Sequence, residues 1–286
     1  MMQIFEDILT IQTRTKELKA SGKKIGFVPT MGYLHEGHIE LIKRARDEND
    51  VVILSIFINP LQFGDNEDLD NYPKDRENDL IKAKEHGVDF VFYPTEKVMY
   101  PEPMSLSISV TKRTNVLCGR SRPGHFEGVV TVLTKLFNIC QPDKAYFGQK
   151  DAQQVAVVDS LIRDFNFPIE LVSVPTVREA DGLAKSSRNV NLSAEERTEA
   201  PSIYEALKFG HSLTEKGEQN PLDIIKQTRQ FLENKTRGKI DYIELLSYPE
   251  LETVDSVNGQ VILAAAVKYS KARLIDNLVF ETSQHA

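Results

Sequence analysis

Apolar residues follow two rhythms along the first two-thirds of this chain. Short runs rich in Val, Ile and Phe occupy residues 24–28, 51–58, 90–92, 144–147 and 169–174, and a brief apolar run bounded by polar or turn residues reads as a strand. Between them, residues 37–48, 74–85, 126–138 and 152–165 carry apolar side chains at helical spacing, with Gly87 as a stop signal after the second. Strand and helix alternating in this way predict an α/β fold, an open doubly wound parallel sheet covered by helices.

The rhythm changes after Pro175. Residues 177–193, VREADGLAKSSRNVNLS, contain Asp-Gly and Ser-Ser pairs that mark a loop. Ser193 with Glu196 three residues on is a capping box, and it predicts a helix start. Helical patterns over 194–213 and 222–234 precede strand-like runs at 240–246, 261–267 and 273–280. Helices followed by strands predict a smaller α+β domain, which divides the chain into residues 1–176 and 177–286 with a hinge near 176.

Composition removes several function classes. Of 286 residues, 41% are apolar and 27% charged, so a packed core is expected and disorder is not. The formal charge of −7 gives no footprint for nucleic acid. An acidic N-terminus, MMQIFEDILT, and the absence of a run of about 20 apolar residues argue against secretion and membrane insertion. Cys118 and Cys140 lack metal or redox spacing and read as free thiols in a reducing cytoplasm.

Candidate chemistry gathers where predicted strands end. In FVPTMGYLHEGH a strand runs into a turn and a helix starts near Gly37, so backbone N–H groups at the helix start, with His35 and His38 one turn apart, can face an anion such as a triphosphate. The spacing is not that of a zinc-protease helix, which needs histidines four apart. In YFGQKDAQQ, Lys150 can meet a phosphate, while Asp151 and Gln154 can reach hydroxyls. Lys185, Ser186, Ser187 and Arg188 supply cations and hydroxyls to a loop able to close over a nucleotide. In FINPLQFG, Asn59 and Gln62 suit a small hydroxy acid, whereas Asp65, Glu67, Asp68 and Asp70 read as a solvated loop. Arg120, Arg122 and His125 fit turn and helix-cap roles.

Taken in order, PTMGYLHEGH, FINPLQFG, RPGHFEGV, FGQKDAQQ and PTVREADGLAKSSRN resemble the pantothenate synthetases, pantoate–β-alanine ligases of the nucleotidyltransferase superfamily. The resemblance implies a Rossmann-like N-terminal domain, condensation of pantoate with β-alanine using ATP and Mg²⁺ through a pantoyl adenylate, and a homodimer. Motif by motif, it implies ATP contacts from Met31, Gly32, Tyr33, Leu34, His35, Glu36, Gly37 and His38, with His38 in the catalytic position and His35 on the phosphates. It implies further nucleotide contacts from Gly148, Gln149, Lys150, Asp151 and Val177, and from the closing loop Lys185 to Arg188. Gln62 and Gln154 would hold pantoate, and Gln62 also β-alanine. The family usually carries Met or Leu where this chain has Lys185, which leaves open whether the backbone or the ammonium acts there. The nearest rival is a transferase that adenylates a phosphorylated acceptor and retains AMP in its product.

Overall fold

The computed structural model describes residues 2–64, 69 and 72–282. The chain folds into two compact units: Met1–Thr111, Arg122–Gln149 and Val157–Pro175 form the first, and Lys112–Ser121, Lys150–Ala156 and Thr176–Ala286 the second. Residue 176 is a division in chain order; in space, two earlier segments group with the C-terminal residues.

The first unit is built on a six-stranded sheet. β1 (Gln3–Phe5), β2 (Ile25–Thr30), β3 (Val51–Ile56), β4 (Phe90–Phe92), β5 (Lys144–Gly148) and β6 (Glu170–Val174) are all parallel, in the order β1-β4-β3-β2-β5-β6. β3 is buried along its whole length, as a strand covered on both faces must be. The helices are α1 (Ile8–Ala20), α2 (Glu36–Glu48), α3 (Arg76–Glu85), the single turn α4 (Glu96–Met99), α5 (His125–Cys140) and α6 (Ala152–Asp164), the first residues of which group with the second unit. Sequence periodicity missed β1 and α1. The first has three residues, and the second buries only Ile11 and Thr15, one side chain per turn, which is too narrow a stripe to read as amphipathic. Leu41, Ile42 and Ala45 of α2 pack with Val28, Leu54 and Ile56 in one core cluster, which ties the body of α2 to β2 and β3.

In the second unit, α7 (Ala194–Glu199), α8 (Ser202–Glu215) and α9 (Pro221–Glu233) accompany an antiparallel sheet of β7 (Lys239–Ser247), β8 (Gly259–Lys268) and β9 (Arg273–Thr282). One helix was expected over 194–213. Pro201 divides it, because proline has no N–H to donate and its ring opposes the preceding turn. Val261, Leu263, Ala265 and Val267 of β8 join a core with α8 and α9, while Ile262, Ala264 and Ala266 pack with Leu117, Cys118, Ala152 and Ala156. Both faces of β8 are thereby covered. Cys118 and Cys140 are free and buried. Among the described residues no helix is long and apolar enough to cross a membrane.

Candidate active site

β2 ends at Thr30, and the chain turns through Met31, Gly32, Tyr33 and Leu34 before α2 begins. Thr30 Oγ1 donates to Ser55 O at 2.8 Å and accepts Gly32 N at 3.2 Å, which ties the turn to β3. His35 is the N-cap of α2, and its ring takes the part usually played by Ser or Asp. Its Nδ1 accepts Gly37 N at 3.1 Å, while His38 Nδ1 accepts His35 N at 3.3 Å, so the two imidazoles form a reciprocal capping box.

A nitrogen that accepts a hydrogen bond carries no proton, so this geometry assigns the proton of each neutral ring to Nε2. The rings lie 4.1 Å apart, centroid to centroid, and both carry their N–H on the side away from the backbone they cap. A Cβ at position 37 would fall 2.9 Å from His35 Cε1, so glycine is what admits the ring. The expectation that backbone N–H groups of this turn and helix start would meet an anion is corrected in part. Those of His35 and Gly37 are engaged by the rings, and those of Tyr33 and Leu34 by Asp79, which accepts them at 2.9 and 2.6 Å.

Asp79 lies on α3 and is 2% exposed. Burial pushes its proton affinity up, opposed by the two backbone donors. One turn on, Lys82 Nζ donates to Leu34 O at 2.6 Å. Sequence reasoning passed over both residues, since acids and lysines on a surface helix ordinarily face water and 45 residues separate Asp79 from Leu34.

Gln62 belongs to the same unit and closes a 3₁₀ turn, Pro60–Gln62. It is 9% exposed. Its Nε2 lies 3.2 Å from Met31 Sδ, and its Oε1 accepts Asn59 Nδ2 at 3.2 Å. Asn59 in turn donates to Gly128 O at 3.0 Å and accepts Tyr100 OH at 2.8 Å. His125 Nδ1 is 2.8 Å from Gln62 O, and its Nε2 is 2.9 Å from Arg122 Nη1. Its proton therefore sits on Nδ1, the opposite tautomer to the α2 pair. Gly148 ends β5, and Gln149 Oε1 accepts a hydrogen bond from Ser173 Oγ. Asp65, Glu67, Asp68 and Asp70 lie outside the described residues.

The remaining candidates belong to the second unit. Lys150 O accepts Asn277 Nδ2 at 2.9 Å, and its Nζ is 3.9 Å from Asp151 Oδ2. Lys150 lines a small cleft together with Ala184, Ser186, Asn189 and Asp276. The buried Asn189 Oδ1 meets no donor among the described residues. Gln154 is half-buried on α6 beside the buried Gln153, whose amide accepts Cys118 N at 2.9 Å and donates to Arg113 O and Val116 O at 2.8 Å.

The segment read as a loop from 177 on pairs with itself first. Lys185 N donates to Val177 O at 2.9 Å and Glu179 N to Leu183 O at 2.8 Å, a small hairpin bridged at Arg178 and Ala184. Arg178 anchors it with two bonds to the Asp276 carboxylate, at 2.6 and 2.9 Å, and lies 3.5 Å over the Tyr204 ring. Ser186 then caps the 3₁₀ turn Ser187–Asn191 by accepting Arg188 N at 3.3 Å. Lys185 Nζ stands 3.9 Å from Glu179 Oε1. Among the described residues no group of three or more His, Cys, Asp or Glu is arranged to hold a metal ion.

Comparison with known proteins agrees with these motifs. A family model described as pantoate-beta-alanine ligase matches residues 3–279. A pantothenate synthetase of Geobacillus sp. (strain WCH70) is 58% identical over 280 residues, covering 98% of this chain and 99% of that protein. One from Bacillus thuringiensis subsp. konkukian (strain 97-27) is 56% identical over 277 residues, covering 97% and 98%. Among solved structures, pantothenate synthetase from Thermus thermophilus superposes with a TM-score of 0.91 at 41% identity, over 97% of this chain and 99% of that one. A pantoate-beta-alanine ligase from Francisella tularensis, complexed with beta-gamma ATP and beta-alanine, gives 0.79 at 37% identity, over 98% of each chain.

Proposed function

This chain belongs to the pantoate-beta-alanine ligase family, and from that premise we propose how its residues divide the work. The reaction is the ATP-dependent condensation of pantoate with β-alanine to pantothenate, AMP and pyrophosphate. Pantoate carboxylate attacks the α-phosphorus in line and pyrophosphate departs, leaving pantoyl adenylate. The neutral amine of β-alanine then attacks the acyl carbon, AMP leaves, and the amide nitrogen gives up its extra proton.

No covalent nucleophile from the protein is required; positioning and charge stabilisation carry the first step. The observation that carries the assignment is the imidazole capping box. With both Nδ1 atoms committed to backbone donors, His35 and His38 offer Nε2–H groups to oxygens that gain charge as pyrophosphate leaves. Met31, Gly32, Tyr33, Leu34, Glu36 and Gly37 shape the same nucleotide-binding turn. Gly148, Gln149, Lys150, Asp151, Val177, Lys185, Ser186, Ser187 and Arg188 are assigned to the nucleotide as well, with the Lys150 ammonium on its phosphates. Gln62 and Gln154 are assigned to pantoate, and Gln62 also to β-alanine; the 3.2 Å contact of Gln62 Nε2 with Met31 Sδ supports a position for Gln62 beside the nucleotide-binding turn.

Mg²⁺ enters as the companion of the triphosphate. A small hard cation held by phosphate oxygens and water asks for only one or two protein oxygens. A homodimer and a cytoplasmic location complete the proposal, the first checked by light scattering at working concentration. The enzymatic test is exchange of labelled pyrophosphate into ATP. Exchange that requires pantoate and proceeds without β-alanine supports the adenylate, and exchange that requires β-alanine overturns it.

A further inference from the structure

We propose that Asp79, assisted by Lys82, is the positioning residue of the imidazole pair: its carboxylate holds the Gly32–Leu34 turn in the one geometry that delivers His35 to the N-cap of α2. The proposal rests on the roles given above to His35 and His38.

The turn is not self-sustaining. Gly32 and Tyr33 have φ of 89° and 53°. Glycine tolerates that region, but for Tyr33 it is unfavourable by about 1–2 kcal/mol. Two successive N–H groups in such a turn form a concavity suited to an anion. Here the anion is the protein's own: Asp79 Oδ2 accepts Tyr33 N and Oδ1 accepts Leu34 N. The next peptide group is held too, since Lys82 donates to Leu34 O from the same face of α3. Leu34 is thus fixed at its nitrogen and its oxygen, and His35 follows directly. A Cβ at position 32 would come 3.0 Å from Asp79 Oδ2, so with φ at 89° any other residue there would be strained and would press on the carboxylate.

A carboxylate suits this task better than its neutral isostere. Each oxygen accepts one of two adjacent donors, whereas an amide would turn its NH₂ toward one of them. An acid 2% exposed is costly to bury unless its bonds are needed. No substrate contact is assigned to Asp79, so its effect on turnover must pass through the rings.

That dependence is measurable as a double-mutant cycle on pantoate-dependent pyrophosphate exchange. Asp79→Asn is expected to lower the exchange rate by ~10–100-fold in the native background, and by less than ~3-fold when His35→Ala is already present. Lys82→Met, which removes no buried carboxylate, is expected to show the same pattern with a smaller first effect, and it serves if Asp79→Asn does not fold. Equal losses in both backgrounds for the variant that folds, or a rate within two-fold of the native enzyme, overturn the proposal. Native exchange in His35→Ala alone would instead overturn the role given to the histidine.

Discussion

An imidazole that accepts a backbone N–H at Nδ1 cannot be protonated there without setting donor against donor. His35 and His38 both satisfy that condition, so the capping box that starts α2 also fixes which nitrogen of each ring can donate. Removing one preorganised donor typically costs 10²-fold or more in turnover. His38→Ala or Lys150→Ala is therefore expected to lower kcat by at least ~10²-fold, about 2.7 kcal/mol of transition-state stabilisation. Steady-state release of AMP measures it, and near-native kcat in both would remove these residues from the mechanism. The motif itself was legible, because two histidines three apart after a strand and beside glycines are rare by chance. Their tautomer was not, since it depends on where each ring turns. Asp79 was not legible either: nothing local distinguishes an acid that caps a distant turn from one that meets water.

At the scale of elements, local rules succeeded where a few adjacent side chains decide the outcome. Ser193 and Glu196 were read as a capping box, and in the fold Ser193 Oγ accepts Glu196 N at 3.2 Å while Glu196 Oε2 accepts Ser193 N at 2.9 Å. Ser193→Ala is expected to cost about 1 kcal/mol in urea unfolding. Asp143, just before β5, is a different case. Its carboxylate accepts Ile25 N at 2.8 Å and Lys19 Nζ at 2.9 Å, bonding the start of β2 and the end of α1. Burial alone would raise its proton affinity, but the Ile25 N–H and the lysines outweigh it and hold the carboxyl below its usual 3.8. The unfolded chain then binds more protons than the folded one just below that value. The stabilisation is accordingly full above pH 3.8 and fades as pH falls through the folded-state value. Asp143→Asn should lower stability by about 1–2 kcal/mol at neutral pH. Unfolding curves should converge with the native protein's as the medium is acidified below pH 3.8, and a deficit independent of pH would refute the linkage.

At the scale of the whole molecule, contacts distant in sequence decide what local pattern leaves open. Arg178 and Asp276 are 98 residues apart, with side chains 16% and 4% exposed, and they share a two-bond ion pair. Breaking a buried pair by removing one partner strands the other charge, so Arg178→Met is expected to cost about 3–5 kcal/mol and to appear as a lowered midpoint in thermal unfolding. A change within about 0.5 kcal/mol would mean that Asp276 is neutral or solvated, on the scale of ordinary surface substitutions. The alternation of β2 to β6 with α2, α3, α5 and α6, the Ser193 cap and the family motifs were readable from the chain alone, because each is set by side chains within a few residues of one another. The pairing of β1 at the sheet edge, the cover on both faces of β8, the Asp79 clamp and the Arg178 anchor were decided only in three dimensions. A one-dimensional pattern records which side chains avoid water; it does not record which distant polar group will take water's place.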